Sequence, residues 1–314
     1  MQYISWDISR VKELVELWNK ECSLDFPMRE ELFIQNSFQD LNINQEGSVI
    51  CLNDQNVVVG FVIAKSWLEE IDVKMPDHIG WIQVLLVDSD YRRMGIGSTL
   101  LSKAEAALQS TNISKILLGR DPWHYFPGIP ELYESVQNWF ENRGYTREGK
   151  EADLICKTAY QEEVKLENVT FNVLQLDDRE RFLSFLNRCF PGRWEYEAVK
   201  YFEMGGTGRE FVTLIKNGDI IGFCRINDDQ SPYIAQNVYW APLLDERIGG
   251  IGPLGIDRNE RKNGYGLAIV QEAIHQLNKR NIHTIVIDWT GLVNFYGKLH
   301  FNIWKEYRQY SKYF

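Results

Sequence analysis

Val87-Asp88-Ser89-Asp90-Tyr91-Arg92-Arg93-Met94-Gly95-Ile96-Gly97 occurs a second time in this chain, altered, as Ile256-Asp257-Arg258-Asn259-Glu260-Arg261-Lys262-Asn263-Gly264-Tyr265-Gly266. Both copies end in Arg-x-x-Gly-x-Gly. Both follow an apolar run of strand character and open an amphipathic helix. A strand, a basic glycine loop and a helix together make a cradle for phosphate. The first turn of a helix leaves backbone N–H groups unpaired, and the helix dipole adds partial positive charge there. Glycine lets the backbone bend tightly and approach a ligand without a Cβ clash. An anion, above all a pyrophosphate, is the natural occupant. Arg92 and Arg93, and Arg261 and Lys262 in the second copy, add cationic donors.

Two neighbouring motifs fail at specific residues. A P-loop requires Gly-x-x-x-x-Gly-Lys-Ser/Thr, which is absent. A dinucleotide fingerprint needs a third glycine three residues after the second, where this chain has Leu100 and Ile269. What remains resembles motif A of the GNAT acyltransferases, a superfamily of CoA-dependent N-acetyltransferases. The first copy matches from Leu85-Leu86-Val87 through Gly97 at nearly every position. The second is looser, with Asn263 and Tyr265 in its loop.

The resemblance implies acetyl-CoA as cofactor, its pantetheine arm along Leu85 and Val87. Its pyrophosphate would lie on Arg92, Arg93, Met94, Gly95, Ile96, Gly97 and Ser98. Arg261, Lys262, Asn263, Gly264, Tyr265 and Gly266 would be the equivalent set in the second half. The competing reading is a pair of helix N-terminal turns that bind nothing.

The halves run in parallel outward from these loops. Helices are expected at Arg10–Cys22 and Asp178–Cys189, each followed by Phe-Pro, at Phe26-Pro27 and Phe190-Pro191. Second helices follow near Arg29–Phe38 and Trp194–Phe202. Hairpin strands are expected at Ser48–Leu52 and Val57–Ala64, turning at Asn53-Asp54-Gln55-Asn56. Their counterparts are Phe211–Lys216 and Ile220–Ile226, turning at Asn217-Gly218. Trp81–Val87 reads as a buried strand. Its counterpart Ile248–Ile256 carries Pro253, which a central strand tolerates only at a bulge. Strands Lys115–Leu118 and Thr284–Ile287 follow the loop helices. The polar segment Thr158–Asn168 reads as a linker. The expected fold is α/β with a mixed sheet: two tandem GNAT-like domains, 1–160 and 161–314. Mycothiol synthase has a similar tandem arrangement within this superfamily, with one half catalytic.

GNAT domains also carry a later signature resembling Phe-Tyr-Glu-Lys-x-Gly-Phe. The second half has Phe295-Tyr296-Gly297-Lys298-Leu299-His300-Phe301, and the first has Trp139-Phe140-Glu141-Asn142-Arg143-Gly144-Tyr145. Expelling a thiolate requires a proton donor, which a tyrosine hydroxyl supplies and a phenylalanine cannot. Tyr296 is therefore the catalytic candidate. The alternative is an aromatic packed under the cofactor helix.

The interval from Gly97 to Phe140 is longer than that from Gly266 to Tyr296. The extra residues fall around Asp121-Pro122-Trp123-His124-Tyr125-Phe126-Pro127-Gly128-Ile129-Pro130. This loop reads either as a substrate lid, with His124 or Asp121 as polar contact, or as a cap on a core edge. No general base is legible. Asp288, His283 and Asp257 in the second half, and Asp121 and His124 in the first, are of suitable type, while Gln83 could only position a water.

Composition narrows the class. A chain of 314 residues, 44% hydrophobic and 13% aromatic, suits two packed domains. A net charge of −10 argues against nucleic acid as partner. The five cysteines are scattered without Cys-x-x-Cys, so a reducing cytoplasm is expected, and neither disulfides nor zinc. The five histidines show no ligand-like clustering, so no metal is expected. There is no signal-peptide pattern, and no apolar run approaches the roughly 20 residues that span a bilayer. The pattern carries no signal of oligomeric state. The resemblance implies acetyl or other acyl transfer to a primary amine of a small molecule or peptide. The alternative is a non-catalytic acyl-CoA-binding sensor or interaction module.

Overall fold

The computed structural model describes residues 1–314. Its first half runs β1 (Gln2–Ser5), α1 (Val11–Cys22), α2 (Glu30–Ser37), β2 (Val49–Leu52), β3 (Val58–Ser66), β4 (Ile79–Val87), α3 (Ile96–Gln109), β5 (Lys115–Leu118), β6 (Ile129–Pro130), α4 (Glu134–Glu141) and β7 (Thr146–Cys156). The second half repeats the order: β8 (Thr170–Val173), α5 (Arg179–Cys189), α6 (Arg193–Glu203), β9 (Phe211–Lys216), β10 (Asp219–Asn227), β11 (Ile248–Ile256), α7 (Tyr265–Lys279), β12 (Thr284–Thr290), α8 (Val293–Tyr296) and β13 (Asn302–Tyr313).

The hairpins close as their turn residues dictate. Asn217 and Gly218 both take positive φ, at 51° and 88°, the pattern of a tight two-residue turn. In the first half Asn53 Oδ1 accepts from the backbone N–H of Gln55 at 2.9 Å and of Val57 at 3.0 Å. This Asx turn does the same job without glycine.

The chain forms two compact units. Unit 1 is Met1–Ile71, Pro76–Glu151 and Glu306–Phe314; unit 2 is Asp72–Met75 and Ala152–Lys305. In unit 1 the strand order is β1-β2-β3-β4-β5-β13, and in unit 2 it is β7-β12-β11-β10-β9-β8. Each sheet is mixed. β4 and β5 pair in parallel, as do β11 and β12, while β3 pairs β4 and β10 pairs β11 antiparallel. A parallel pair needs a crossover, and helices α3 and α7 supply it. Helix α3 buries Ile96, Leu100, Leu101, Ala104 and Leu108 against unit 1's sheet. Helix α7 buries Ile269, Val270, Ala273, Ile274 and Leu277 in unit 2. The 3.6-residue period thus fixes which face of each helix meets the sheet.

Each parallel pair stops early. β4 and β5 are in register only from Ile79↔Lys115 to Ile82↔Leu118. β11 and β12 are in register only from Ile248↔Thr284 to Gly250↔Val286. Register also shifts between Ile63 and Ala64 in the β3–β4 pair, and between Cys224 and Ile226 in the β10–β11 pair. These bulges re-aim the second halves of β4 and β11. Pro253 lies within the shift in β11, between the paired Ile251 and Leu254, where the missing N–H leaves no rung unfilled.

Candidate active site

The two glycine loops share one backbone. Arg93 and Gly95 take φ of 63° and 83°, and Lys262 and Gly264 take 69° and 77°. Arg92 Nε donates to the Val87 carbonyl at 3.1 Å, and Arg261 Nε to that of Ile256 at 3.1 Å. Asp88 accepts from the Asp90 N–H and Asp257 from that of Asn259, at 3.0 and 2.9 Å. A cation from the first helix of each unit, α1 or α5, holds each aspartate. Lys20 reaches Asp88 at 2.7 Å, and Arg188 reaches Asp257 at 2.6 Å. The second loop is therefore no looser in backbone than the first, despite Asn263 and Tyr265. Asn263 only adds a hydrogen bond to the Glu260 carbonyl at 3.1 Å.

A Cβ built on Gly95 or Gly264 would meet nothing within 4 Å, so open space faces each left-handed turn. Helices α3 and α7 begin immediately after these glycines, with no side chain capping their first N–H groups. Both cradles fit a pyrophosphate by this test.

In unit 1 a cleft of about 840 Å³ rises from the loop between the diverging ends of β4 and β5. This lies within the usual range of small-molecule sites, about 300–1,000 Å³. Its walls include Leu85, Val87, Arg92, Arg93, Gly95, Ile96, Gly97 and Ser98. Met94 is exposed outside it. Sequence reading missed three other walls. Trp139 would lie 3.5 Å from a Cβ on Gly97. The Arg143 guanidinium stacks 3.7 Å over the Trp139 ring and donates to Ser98 Oγ at 2.8 Å. Tyr133 faces Cys22 across the cleft, and burial pushes that thiol up to about 11. An aromatic followed four residues later by arginine on one helix face was the available signal for the first two. Unit 2 has Phe295 and Leu299 at these places and no such cation.

The loop at Asp121–Pro130 packs inward. Asp121, Trp123, His124 and Tyr125 are all buried, while Phe126 and Gly128 to Pro130 reach the cleft. Lys65, itself fully buried, holds Asp40 and Asp121 at 2.7 Å each. Gln83 donates to the Trp123 carbonyl at 2.8 Å. Trp18 stacks on Phe126 and edges against Tyr125, with ring centroids 5.8 and 5.0 Å apart. Asp121 and Gln83 thus serve the packing of this region, and Phe140 packs at 5.1 Å from Tyr145.

Unit 2 differs in its polar groups. Tyr296 is 6% exposed, and its hydroxyl has no hydrogen-bond partner. Burial, then Cys224 and Asp288, raise its pKa above the ordinary phenol range. Asp288 follows Ile287 in β12, inside the register shift with β7 that runs from Ile287 to Thr290. Desolvation, then Asp153 and Glu197, push its carboxyl up to about 7 against the pull of Arg193. The other candidates lie elsewhere. His283 is exposed, and Asp257 is the loop cap, held below the usual carboxylate range by the Asn259 N–H and then Arg188.

The model of the Acetyltransferase (GNAT) family matches residues 11–126 and again 179–301. Over 155 residues the chain is 26% identical to an uncharacterised N-acetyltransferase of Methanocaldococcus jannaschii; the match covers 46% of this chain and 66% of that protein. Among solved structures, one similar to it is a GCN5-related glucosamine N-acetyltransferase region of a fungal multi-domain GH3 β-N-acetylglucosaminidase. Its TM-score is 0.87 at 22% identity, covering 99% of this chain and 38% of that one. A GCN5-related N-acetyltransferase from Sphaerobacter thermophilus has a TM-score of 0.72 at 15% identity, covering 99% and 95%. A tandem GNAT protein from the clavulanic acid biosynthesis pathway has 0.68 at 10% identity, covering 99% and 98%. The chain spans about two thirds of the curated relative's length and less of the first of these structures. At these identities the structures show the fold, and the two matches of the family model together cover most of the chain. The chain belongs to the acetyltransferase (GNAT) family and carries that family's fold in two copies.

Proposed function

We propose that this protein transfers an acetyl group from acetyl-CoA to a primary amine, with the chemistry in unit 2. The observation that carries this is the pairing, in unit 2, of a preformed pyrophosphate loop with Tyr296, a buried hydroxyl lacking any partner. When bound, acetyl-CoA supplies the acyl group as an activated thioester. In each unit the loop N–H groups and Arg92 or Arg261 would hold the pyrophosphate. Leu85 and Val87 line the path of the pantetheine arm in unit 1. Tyr296 Oη gives a proton to the departing sulfur. Unit 1 has the cleft but Phe140 at the donor position, so its role is to bind the cofactor.

The fold shared with a glucosamine N-acetyltransferase region makes glucosamine the first acceptor to try. The test is release of CoA thiol from acetyl-CoA, using the full chain with glucosamine and with peptide N-termini as acceptors. Turnover with an acetylated amine as product supports the reading. Tight acetyl-CoA binding with no turnover on any amine favours the acyl-CoA sensor instead.

Arg143 is expected to grip the cofactor in unit 1, since it brackets the α3 N-terminus with a stacked, oriented guanidinium. A hydrogen bond to a charged group contributes about 1.5–3 kcal/mol. Arg143→Ala should therefore weaken acetyl-CoA binding there by roughly tenfold or more, read by calorimetry. Arg143→Lys should not restore it, because lysine neither stacks nor forks.

A further inference from the structure

We propose that Asp288 is the general base of unit 2, removing the proton that an acceptor ammonium must lose before it can attack. This rests on the transferase reading above. An ammonium nitrogen has no lone pair, so the site needs a proton acceptor beside the acyl carbon.

The strands set its position. β11 and β12 part after Gly250↔Val286, so Asp288 stands at the opening of the gap. Across that gap β11 offers bare backbone: a methyl on Gly252 would lie 3.7 Å from Asp288 Oδ1. Asp288 as a residue is only partly buried, at a strand end where β11 and β12 have parted. Tyr296 from α8, nine-tenths buried and without a partner of its own, borders the same space.

The groups facing Asp288 are Asp153 from β7, Glu197 and Arg193 from α6 and Tyr296 from α8, with Cys224 of β10 beside Tyr296. Arg193 is engaged by Glu197 at 2.7 Å and stacks over Trp289. Asp153 accepts the Trp289 N–H at 3.0 Å. Asp288 itself makes no ion pair, and carboxylates outnumber cations around it. Trp289 takes a φ of 41°, a strained value for a bulky residue, at the irregularity that frees Asp288 from the ladder. A carboxyl poised near neutrality beside an unpartnered phenol is the arrangement in which one group accepts a proton and the other donates one.

The protons balance. Asp288 takes one from the ammonium, and nitrogen forms the C–N bond to the acyl carbon as the C–S bond breaks. Tyr296 Oη gives its proton to the thiolate and takes the nitrogen's second N–H proton in return, and Asp288 releases to solvent the proton it accepted. Acetylation of one ammonium yields one amide, one thiol and one free proton.

The test compares the full chain with Asp288→Asn, which keeps the shape and removes the base. With glucosamine and saturating acetyl-CoA, wild-type kcat/KM should rise tenfold per pH unit up to about 7, and then level. Asp288→Asn should be roughly 10²- to 10⁴-fold slower at pH 8, with that inflection gone. Asp288→Glu should recover part of the loss.

Two readouts do not depend on turnover. In ¹³C-carboxyl-labelled protein, one aspartate should titrate near 7 and vanish in Asp288→Asn. A carboxyl raised in the folded state stabilises it at low pH, and this contribution is lost as pH rises through the folded value. The urea midpoint of Asp288→Asn should therefore exceed wild type at pH 8.5 and approach it near pH 4. An Asp288 that titrates in the ordinary carboxylate range overturns the assignment. So does an Asp288→Asn variant that keeps the wild-type rate and profile while Tyr296→Phe loses activity, and in that case the transferase reading stands. A wild-type protein that acetylates no amine overturns both.

Discussion

Tyr296→Phe should lower kcat by about 10²- to 10⁴-fold, the usual contribution of a general acid, with little change in acetyl-CoA affinity. The substitution removes one oxygen from a side chain that is 6% exposed and whose ring packs against Phe295 and Phe301. Because the hydroxyl has no partner in the protein, its loss orphans nothing, so stability should hold or rise slightly. Unit 1 already has phenylalanine at this place, in Phe140, and that ring packs in the same manner against Trp139 and Tyr145. The fold therefore accepts either residue there, and a large kinetic effect would be chemical. Steady-state kinetics with a single accepted amine decides the matter. An unchanged kcat would remove Tyr296 from the mechanism and turn attention to Tyr133, which lines the cleft of unit 1.

The parts of this site that could be read in the sequence are those fixed by local backbone. Gly95 and Gly264 sit at positive φ because a loop turning into a helix needs that conformation, and arginine three residues earlier folds back on the strand carbonyl in both copies. For the same reason the substitutions that made the second loop look loose, Asn263 and Tyr265, change little: neither occupies a left-handed position. Pro253 looked adverse for a central strand, and the adjacent register shift removes the objection.

What could not be read depends on distant partners. Nothing in the period of β13 says that its residues from Glu306 onward complete the sheet of unit 1 through Ser311↔Leu117. The residues of Asp121–Pro130 suit a lid and a core cap equally well, and what decides is Lys65 of β3, which holds Asp121 from another strand. Asp288 is one of several carboxylates at strand ends. It stands out only once burial and its neighbours Asp153 and Glu197 are known. Chemistry set by desolvation is invisible to motif reading, because the residue type is unchanged and only its surroundings differ.

Gly264→Asp should abolish turnover, whereas Gly95→Asp should remove a cofactor site and cost turnover far less. Both glycines take left-handed backbone with open space where a Cβ would go. Aspartate visits that region more readily than most residues, so each variant should fold. Its carboxylate would stand where phosphate oxygens are to be received, and a like charge in a cradle built for anions is strongly adverse. A loss of at least 100-fold in affinity at the altered site is expected, about 3 kcal/mol. Calorimetric titration with acetyl-CoA should show two sites in wild type and one in each variant, since the two loops share one geometry. Thiol release then assigns the chemistry. If Gly95→Asp destroys turnover while Gly264→Asp preserves it, catalysis belongs to unit 1, and the roles given to Tyr296 and Asp288 fall together. If turnover follows Gly264 alone, unit 1 holds its cofactor without reacting it. The cleft beneath Trp139 and Arg143 is then a binding site retained beside the catalytic one, and Phe140 is the residue that marks the difference.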